Sequence, residues 1–483
     1  MKITLINIQI CEANNLVPPL GILAVGSVLE KYGFEVQLID DDIFLTDITP
    51  QVLAFNPDLV GISFLTPAYT RAKKTVDTLQ PLLPKTRFCA GGFHASLLPE
   101  QVLTDLKLDF CVIGEGEATM LEICRRLAAR EEITGVPGIC YRGEDGTPVV
   151  APPRTLIEDL DTLPLPATHL LDYETYLRPP GLFRGMAMDR IATLATSRGC
   201  PFHCTYCGGR KMFNGRVRFR SVQSIREELA YLTATHRIRG IWVIDECFTL
   251  DRERARDIAD LIAEYSLVWG MQTRVDLLDE SLIRHFKTCG CIEINFGVES
   301  GVDRVLGILK KGTTRQAALK TFAWCRDAGM RTTANFMIGT PSESEADMQE
   351  TFKFSKQLNA SYTVFHITTP LPGTELYEHA LAAGLMQEPH DFDDAWMHRG
   401  SQGPLMTTEV PPERLMKLRA GFQNYFFVRN YLNWRNTCYG IHVLGLLLRS
   451  PAILVNACKA YWRHGRLDSL IETMVAQINK AGR

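Results

Sequence analysis

Residues 197–209, SRGCPFHCTYCGG, carry three cysteines, Cys200, Cys204 and Cys207, within a span of eight positions. A structural zinc site needs four ligands in a closed tetrahedron, and the local fourth candidate, His203, is adjacent to Cys204 and would strain the chelate. Three thiolates on one loop instead suit a [4Fe–4S] cluster with one iron left open. The spacing therefore predicts a cluster whose fourth position binds a further ligand.

The chain as a whole has the composition of a soluble protein. Its 483 residues are 46% hydrophobic and 22% charged, with a net charge of −3. That length predicts two or three domains, and the near-neutral charge argues against a general nucleic-acid binder. The start, MKITLINIQI, is too short for a secretory signal, and no apolar stretch is long enough to span a membrane. We expect a cytoplasmic enzyme that acts on a small molecule.

The other cysteines have a simpler interpretation. Fourteen cysteines without an export signal indicate a reducing compartment. Eleven lie outside the loop and are expected to be small buried hydrophobes; among them are Cys11, Cys89, Cys111, Cys124, Cys247 and Cys325. Cys289 and Cys291 are separated by one residue and precede a β-like run, which favours packing over a site.

Residues 1–135 alternate short apolar runs with helical stretches, which predicts an α/β unit with a doubly wound, Rossmann-like parallel sheet. Ligands bind such sheets at the carboxyl ends of the strands. Glycine and polar residues follow the predicted strands there: Ser63, Thr66, Gly91, Gly92, His94, Gly114, Glu115 and Gly116.

Three further segments are predicted. Residues 136–190 are rich in Pro and Gly and form a linker with a hairpin at RGEDGT. Residues 191–375 contain six candidate strands with helices between them, which suits a partial (β/α)6 barrel with its site at the strand ends. Residues 376–483 form a C-terminal helical domain, either a cap packed on the barrel or a lid or weakly basic face toward a membrane or anionic ligand.

The cysteine loop follows the first barrel strand, and VIDECFT, QTRVD, FGVESG, NFMIGTPSES and TPLPGTELY follow in order. In these motifs the chain resembles the radical S-adenosylmethionine superfamily. The resemblance implies that S-adenosylmethionine chelates the open iron through its amino and carboxylate groups. The resemblance also implies an external reductant, a flavodoxin- or ferredoxin-like protein. An electron from this reductant would release a 5′-deoxyadenosyl radical from the bound S-adenosylmethionine.

Individual residues fit that task. Gly208 and Gly209 would allow close approach of the backbone to the bound amino group, and Arg274 would pair with a carboxylate. Glu299 would accept hydrogen bonds from the ribose hydroxyls or from the ammonium group of S-adenosylmethionine. Asn335 and Gly339 would lie near the ribose and adenine.

Asp245 and Glu246 form a pair of neighbouring carboxylates that could serve acid/base chemistry. Consecutive strand residues point to opposite faces, so only one of the two can face the site. Asp245 is the one expected to do so.

The N-terminal unit lacks G-x-G-x-x-G after its first strand, which weakens a dinucleotide interpretation. The strings PPLGILAVGSVLEKYGFEVQLID, GGFHAS and VIGEGE resemble the cobalamin-binding domain that precedes the radical domain in many methyltransferases and cyclases. No Asp-x-His-x-x-Gly string occurs, and His94 lies in a different loop. We therefore expect base-off cobalamin without a histidine ligand, its lower face covered by SFLTPAY and its nucleotide tail admitted by Gly91 and Gly92. A domain that kept its fold but lost the ligand is the alternative.

Together these resemblances favour a cobalamin-dependent radical methyltransferase: one S-adenosylmethionine would methylate cob(I)alamin and a second would generate the radical. The alternative is an oxidative enzyme resembling the anaerobic magnesium-protoporphyrin IX monomethyl ester cyclase. A corrinoid sensor is a third hypothesis, and a tRNA methylthiotransferase is disfavoured because a second three-cysteine set is absent. The apolar, aromatic C-terminal region indicates a bulky hydrophobic substrate, although core packing explains the same residues.

Overall fold

The computed structural model describes residues 1–8, 17–41, 47–178, 183, 186, 188–386, 392 and 406–431. Two largely parallel sheets with helices packed against them make up this part of the chain, so the predicted α/β class is confirmed. Cys11 lies outside the described residues. So do residues 432–483, which are part of the C-terminal region given the cap, lid, membrane and hydrophobic-substrate interpretations.

The first sheet has seven strands in the order β2-β1-β3-β4-β5-β6-β7. They are β1 (Lys2–Ile8), β2 (Glu35–Asp40), β3 (Leu59–Phe64), β4 (Arg87–Gly91), β5 (Phe110–Val112), β6 (Ile139–Arg142) and β7 (Pro148–Val150). The first five are parallel, and the order 2-1-3-4-5 is that of flavodoxin-like folds, which bind ligands where the order reverses.

Helices cover both faces of this sheet. They are α1 (Leu20–Lys31), α2 (Thr49–Phe55), α3 (Tyr69–Leu79), α4 (Gly92–Leu97), α5 (Pro99–Asp105) and α6 (Gly116–Ala129). One apolar cluster lies between the sheet and α1 with α6, and another lies between the sheet and α2, α3 and α5. Burial on both faces explains why the strands read as continuous apolar runs.

The hairpin predicted at RGEDGT forms between β6 and β7. Its strands pair antiparallel, with Arg142 opposite Pro148, and Gly146 adopts a positive φ of 82° in the turn. Because β6 also pairs with β5, the hairpin extends the first sheet.

The second sheet has six parallel strands in the order β15-β14-β13-β12-β11-β8, which confirms the predicted partial barrel. They are β8 (Ile191–Leu194), β11 (Gly240–Val243), β12 (Val268–Thr273), β13 (Cys291–Glu299), β14 (Arg331–Ile338) and β15 (Tyr362–Ile367). The remaining short strands, β9 (Ser197–Arg198) and β10 (Arg218–Phe219), pair antiparallel on either side of the cysteine loop.

The second unit has ten described helices. They are α7 (Tyr173–Tyr176), α8 (Gly209–Phe213), α9 (Val222–His236), α10 (Arg252–Glu264), α11 (Glu280–Thr288), α12 (Asp303–Ile308), α13 (Arg315–Asp327), α14 (Glu345–Leu358), α15 (Glu375–Ala382) and α16 (Pro412–Tyr431). Ser221, Asp251 and Asp279 cap the N-termini of α9, α10 and α11, each accepting a backbone N–H in the first turn.

The helix α16 covers the outer edge of the barrel. The Oε1 atom of Gln423 accepts from the backbone N–H of Phe365 at 3.0 Å, and Nε of Arg419 donates to the carbonyl of Phe365 at 3.2 Å. Because β15 is an edge strand, these contacts pair backbone groups that it would otherwise expose. This part of the C-terminal region is therefore a cap on the barrel. Among the described helices, none combines the length and apolarity needed to cross a bilayer.

The two units share a core. Val305 and Leu309 near α12, and Leu376 and Tyr377 of α15, belong to the same buried apolar cluster as Phe64 of β3. This packing brings the carboxyl edge of the first sheet toward the cysteine loop of the barrel.

Candidate active site

The cysteine loop begins just after β9. Cys200 and Cys204 are half-buried, Cys207 is exposed, and all three are free thiols. Burial raises the pKa of Cys200 to about 11, and the neighbouring thiols of Cys247, Cys207 and Cys204 act in the same direction, so four sulfurs face one region.

The spacing of the loop sulfurs bears on which metal they could hold. Within the described ranges, the one group of three potential ligand atoms lying within 4.8 Å of one another is found elsewhere in the barrel. A single zinc ion, with Zn–S distances of about 2.3 Å, would need its sulfurs closer than that. The donor set of Cys200, Cys204 and Cys207 fits the larger [4Fe–4S] cluster.

Two carboxylates after β11 hold the base of the loop. Asp245 is buried and accepts from the backbone N–H of Thr196 at 2.6 Å and from Oγ of Ser197 at 2.6 Å; burial raises its pKa. Glu246 lines a cavity between the two sheets and accepts from the N–H of Gly199 at 3.3 Å. The expectation that Asp245 faces the site was wrong: β11 ends at Val243, so strict alternation of side chains does not extend to these residues.

Arg274 follows β12 and is buried. Its guanidinium lies 3.7 Å from the ring centroid of Phe202 in the cysteine loop, and Nη1 donates to the carbonyl of Lys311 at 2.6 Å. The remaining nitrogens pair with Asp276, at 3.0 Å and 2.8 Å. Arg274 thus supports the loop through Phe202, and its pairing with a cofactor carboxylate stays a prediction.

Glu299 ends β13 in a left-handed conformation, with φ of 69°, and its side chain is buried. Its Oε1 accepts from Tyr206 Oη and from Lys311 Nζ, each at 3.0 Å. A non-glycine residue in this region is strained, and such strain clusters at functional sites. Tyr206 lies between two of the loop cysteines, so this network joins the loop to β13. Neither Tyr206 nor Lys311 was predicted from the sequence, and the one local signal for Lys311 is a lysine before Gly312 in KKGTTR.

Asn335 and Gly339 lie in and after β14. Nδ2 of Asn335 donates to the carbonyl of Phe296 at 3.1 Å and to Oδ1 of Asn295. Gly339 has φ of 85°, and its N–H donates to Oε2 of Glu343 at 2.7 Å. Both are therefore engaged within the chain, and their proximity to ribose and adenine stays a prediction.

Gly208 and Gly209 follow Cys207. A Cβ placed on Gly208 would lie 2.7 Å from the ring of Phe93, so this glycine makes room for a side chain of the N-terminal unit. A Cβ on Gly209 would lie 3.5 Å from Sγ of Cys207, at the start of α8. Their predicted contact with a bound amino group is untested by these distances.

A cavity of about 400 Å³ lies between the two sheets. Its lining includes Gly61, Ser63, Gly91, Gly92, Gly114, Glu115 and Gly116 from the first unit, and Ala195, Ser197, Arg198, Met212 and Glu246 from the barrel. Six of the predicted cobalamin contacts therefore line one cavity, which also reaches the base of the cysteine loop.

Glycines, which have no side chain, shape the floor of this cavity. Gly92 has φ of 82°, and a Cβ there would approach Oγ of Ser63 to 2.7 Å. A Cβ on Gly61 would lie 3.1 Å from Leu5. At the same edge Leu65 is 52% exposed, an apolar side chain in the SFLTPAY segment. A glycine-lined slot beside an exposed apolar residue fits the nucleotide tail and the lower face of a corrinoid.

Thr66 and His94 are predicted contacts that do not line the cavity. His94 is fully buried, with Nδ1 3.0 Å from Oγ1 of Thr66 and its ring packed against Phe64, Tyr69 and Phe392. Burial lowers its pKa to about 4, so the imidazole is neutral at pH 7. Among the described residues, its Nε2 atom has no hydrogen-bond partner. Cofactor contact by these two residues stays a prediction.

An ion-pair cluster joins the two units beside the cavity. Glu115 pairs with Arg198 at 2.9 Å and with Arg218 at 2.7 Å, and Glu117 pairs with Arg198 at 2.7 Å. Burial opposes ionisation of Glu115, but the two arginines outweigh it and lower its pKa. Arg198 and Arg218 are paired residues of β9 and β10, so the cluster links the loop after β5 to the base of the cysteine loop. Nothing in the local sequence around either arginine pointed to this contact.

Comparison with known proteins gives matches to both units. The family model for the radical SAM superfamily matches residues 194–355, and that for the B12 binding domain matches residues 7–124. An uncharacterised methyltransferase of Pyrococcus horikoshii is 33% identical over 375 residues, covering 76% of this chain and 80% of the relative.

Two other similar proteins extend the comparison. The anaerobic magnesium-protoporphyrin IX monomethyl ester cyclase of Rubrivivax gelatinosus is 28% identical over 434 residues, covering 86% of this chain and 75% of the relative. The radical S-adenosylmethionine methyltransferase TsrM from Kitasatospora setae, solved with cobalamin and a [4Fe–4S] cluster bound, superposes with a TM-score of 0.65 at 19% identity. That match covers 78% of this chain and 75% of TsrM, and it shows a shared fold.

Proposed function

The chain belongs to the cobalamin-dependent radical S-adenosylmethionine enzymes, and we propose that it is a methyltransferase that places a methyl group on a carbon atom of a small-molecule substrate. When bound, the reduced cluster and S-adenosylmethionine supply a 5′-deoxyadenosyl radical that activates the carbon, and cobalamin carries the methyl group. We assign cobalamin to residues 1–135 and the radical chemistry to residues 191–375.

In this proposal the chain's own residues bind and orient. Cys200, Cys204 and Cys207 hold the cluster, and Arg274 supports their loop through Phe202. Glu299, held by Tyr206 and Lys311, presents a buried carboxylate to the polar groups of S-adenosylmethionine.

The glycine-rich edge of the first sheet accepts the corrinoid. Gly91 and Gly92 leave room for its tail, and Ser63 is the polar group beside them. The exposed side chain of Leu65 would lie against the lower face, where it offers an apolar contact and no metal ligand.

The single observation that supports the proposal most strongly is the shared cavity. Residues of both units line it, with Gly91 from the first sheet and Arg198 and Glu246 from the cysteine-loop side of the barrel. A substrate between them would meet a methyl carrier on one side and a radical source on the other. The lining is mainly apolar, which suits a corrinoid and a hydrophobic substrate beside it.

The reductant is proposed to be a flavodoxin- or ferredoxin-like protein, because the cluster must receive one electron for each radical that it generates. The buried free thiols of Cys89, Cys111, Cys124, Cys247 and Cys325 support a reducing, cytoplasmic location.

Anaerobic reconstitution of the full chain tests the proposal. Bound corrinoid is measured by its visible absorption, and 5′-deoxyadenosine and methylated product are measured by mass spectrometry with methyl-labelled S-adenosylmethionine. We expect one corrinoid per chain and transfer of the label. Absence of both would overturn the proposal, and a product that gains oxygen or loses hydrogens without label would support the cyclase alternative, which the relative from Rubrivivax gelatinosus keeps open.

A further inference from the structure

Three potential metal ligands meet on the outer surface of the barrel, away from the cavity. Asp260 lies on α10, His285 on α11, and Cys289 directly after α11. The Nε2 atom of His285 is 3.0 Å from Oδ1 of Asp260, Sγ of Cys289 is 3.3 Å from the same oxygen, and Sγ is 3.6 Å from Nε2. All three atoms lie within 4.8 Å of one another.

These distances match the edges of a coordination tetrahedron. With Zn–S of about 2.3 Å and Zn–N and Zn–O of about 2.0–2.1 Å, tetrahedral angles give edges of about 3.6 Å from sulfur to nitrogen or oxygen and about 3.3 Å from nitrogen to oxygen. The three observed separations, 3.6, 3.3 and 3.0 Å, each lie within a few tenths of an ångström of these edges. Little side-chain movement is needed to seat an ion.

The backbone fixes two of the ligands. His285 and Cys289 are four residues apart, a spacing that puts side chains on one side of a helix, and the N–H of Cys289 donates to the carbonyl of His285 at 3.0 Å. Nε1 of Trp269, in the buried barrel core, donates to the carbonyl of Cys289 at 2.8 Å. Gly290 then leaves the helix with φ of 84°. The His-x3-Cys pair is therefore held in place before any ligand binds.

The three residues differ in their exposure to solvent. Cys289 is 6% exposed, the His285 side chain is 26% exposed and the Asp260 side chain is 59% exposed. An ion can enter from solvent past the carboxylate, and water can occupy its fourth position. The mixed sulfur, nitrogen and oxygen set suits Zn²⁺, whereas Mg²⁺ and Ca²⁺ prefer oxygen alone.

We infer that Asp260, His285 and Cys289 form a binding site for a thiophilic divalent cation of the Zn²⁺ class, which joins α10 to α11 on the outside of the barrel. Binding forms a Zn–S bond and releases the thiol proton of Cys289 to solvent. The cation clamps two helices, and the site lies apart from the residues assigned to radical chemistry.

The competing interpretation is a hydrogen-bonded triad without metal. In that interpretation the thiol of Cys289 and the imidazole of His285 both hydrogen-bond to Oδ1 of Asp260. The same distances suit both interpretations, and zinc binding distinguishes them.

Zinc binding to the cluster-loaded full chain tests the inference. The anaerobic holoenzyme is treated with a chelator, its iron content is checked, and Zn²⁺ is titrated in competition with a chromogenic chelator. We expect one Zn²⁺ per chain, and X-ray absorption at the zinc edge should show a single sulfur neighbour at about 2.3 Å with nitrogen and oxygen. No binding, or a shell of three sulfurs from the cysteine loop, would overturn the inference.

Variants distinguish zinc binding at this site from adventitious binding elsewhere on the chain. His285→Ala and Asp260→Asn should each weaken Zn²⁺ binding about tenfold or more while iron content and 5′-deoxyadenosine formation stay unchanged. Asp257→Asn removes an exposed carboxylate one turn earlier on α10 and should bind Zn²⁺ as the parent does. Because Asp260 is largely exposed, its variant is expected to fold. Unaltered zinc affinity in both ligand variants would contradict the assignment.

Discussion

Glu115 and Arg198 form an ion pair, 2.9 Å between Oε1 and Nη1, that joins the glycine-rich loop of the first sheet to the base of the cysteine loop. Arg218, on the neighbouring strand β10, pairs with the same carboxylate of Glu115, and its side chain is 3% exposed. The loop that lines the corrinoid slot and the loop that holds the cluster are thus connected through Glu115, with Glu117 as a second carboxylate on Arg198.

Replacing Glu115 by Gln should be strongly destabilising. The change leaves the buried Arg218 without its carboxylate partner and removes one of the two carboxylates that Arg198 contacts, and breaking a buried pair in this way costs about 3 kcal/mol or more. Thermal unfolding of the anaerobic full chain measures the loss. Glu158→Gln is the control, because Glu158 and Arg216 form an exposed pair, 55% and 56% accessible, and its loss should cost no more than about 1 kcal/mol. Equal stability of the two variants would contradict a structural role for the cluster.

Replacing Gly92 by Ala should weaken corrinoid binding by about tenfold or more, because the added methyl group meets Oγ of Ser63 at 2.7 Å and fills the slot. Equilibrium titration with cobalamin measures the effect. Gly33→Ala carries a similar backbone penalty, with φ of 85°, but its Cβ meets no atom within 4 Å. Corrinoid affinity that falls equally in both variants would show that backbone strain, and not the slot, causes the change.

Glu343 makes stability depend on pH. Burial raises its pKa from 4.5 to about 7, while hydrogen bonds from the N–H groups of Thr340 and Gly339 act in the opposite direction. The native state therefore keeps a proton that the unfolded chain releases between these pH values, and this contribution to stability is lost as the pH rises from about 4.5 through about 7.

Glu343→Gln removes that titration and retains an oxygen that accepts both N–H groups. Relative to this variant, the parent should lose about 1.4 kcal/mol of stability per pH unit across the window. Unfolding midpoints of the two proteins at pH 5 and pH 8 provide the measurement. Midpoints that move in parallel would show that Glu343 titrates normally.

Cys204→Ala should abolish assembly of the cluster, since two thiolates remain where three are needed. Iron and sulfide analysis after anaerobic reconstitution, with the electron paramagnetic resonance of the reduced protein, provides the measurement. Cys325→Ala removes a fully buried thiol of α13 and should lower stability while leaving iron content unchanged. A variant at Cys204 with full iron content would refute the assignment of the loop.

Local patterns predicted much of the fold. The alternation of strands and helices, the hairpin at 142–147 and the three-cysteine loop depend on neighbouring residues, and the structure has both sheets and the hairpin where expected. Contacts between distant residues could not be predicted in the same way. Arg198 meets Glu115 across 83 positions, and Lys311 meets Tyr206 across 105.

Side-chain direction was predictable only inside the strands. Asp245 and Glu246 follow the end of β11, where the turn of the loop and not the pleat sets which carboxylate reaches the cavity. The group of Asp260, His285 and Cys289 could not be predicted from the sequence for a related reason. Its members lie on two helices whose packing brings them together, and Cys289 beside Cys291 resembled an ordinary buried thiol.

The most direct test of the proposed function is the mass of the product formed by the reconstituted full chain with methyl-labelled S-adenosylmethionine and extracts that contain candidate substrates. The proposal predicts a product that gains one labelled methyl group, together with 5′-deoxyadenosine, and predicts that both disappear in Cys204→Ala. A protein that binds no corrinoid and yields only unlabelled products would contradict it.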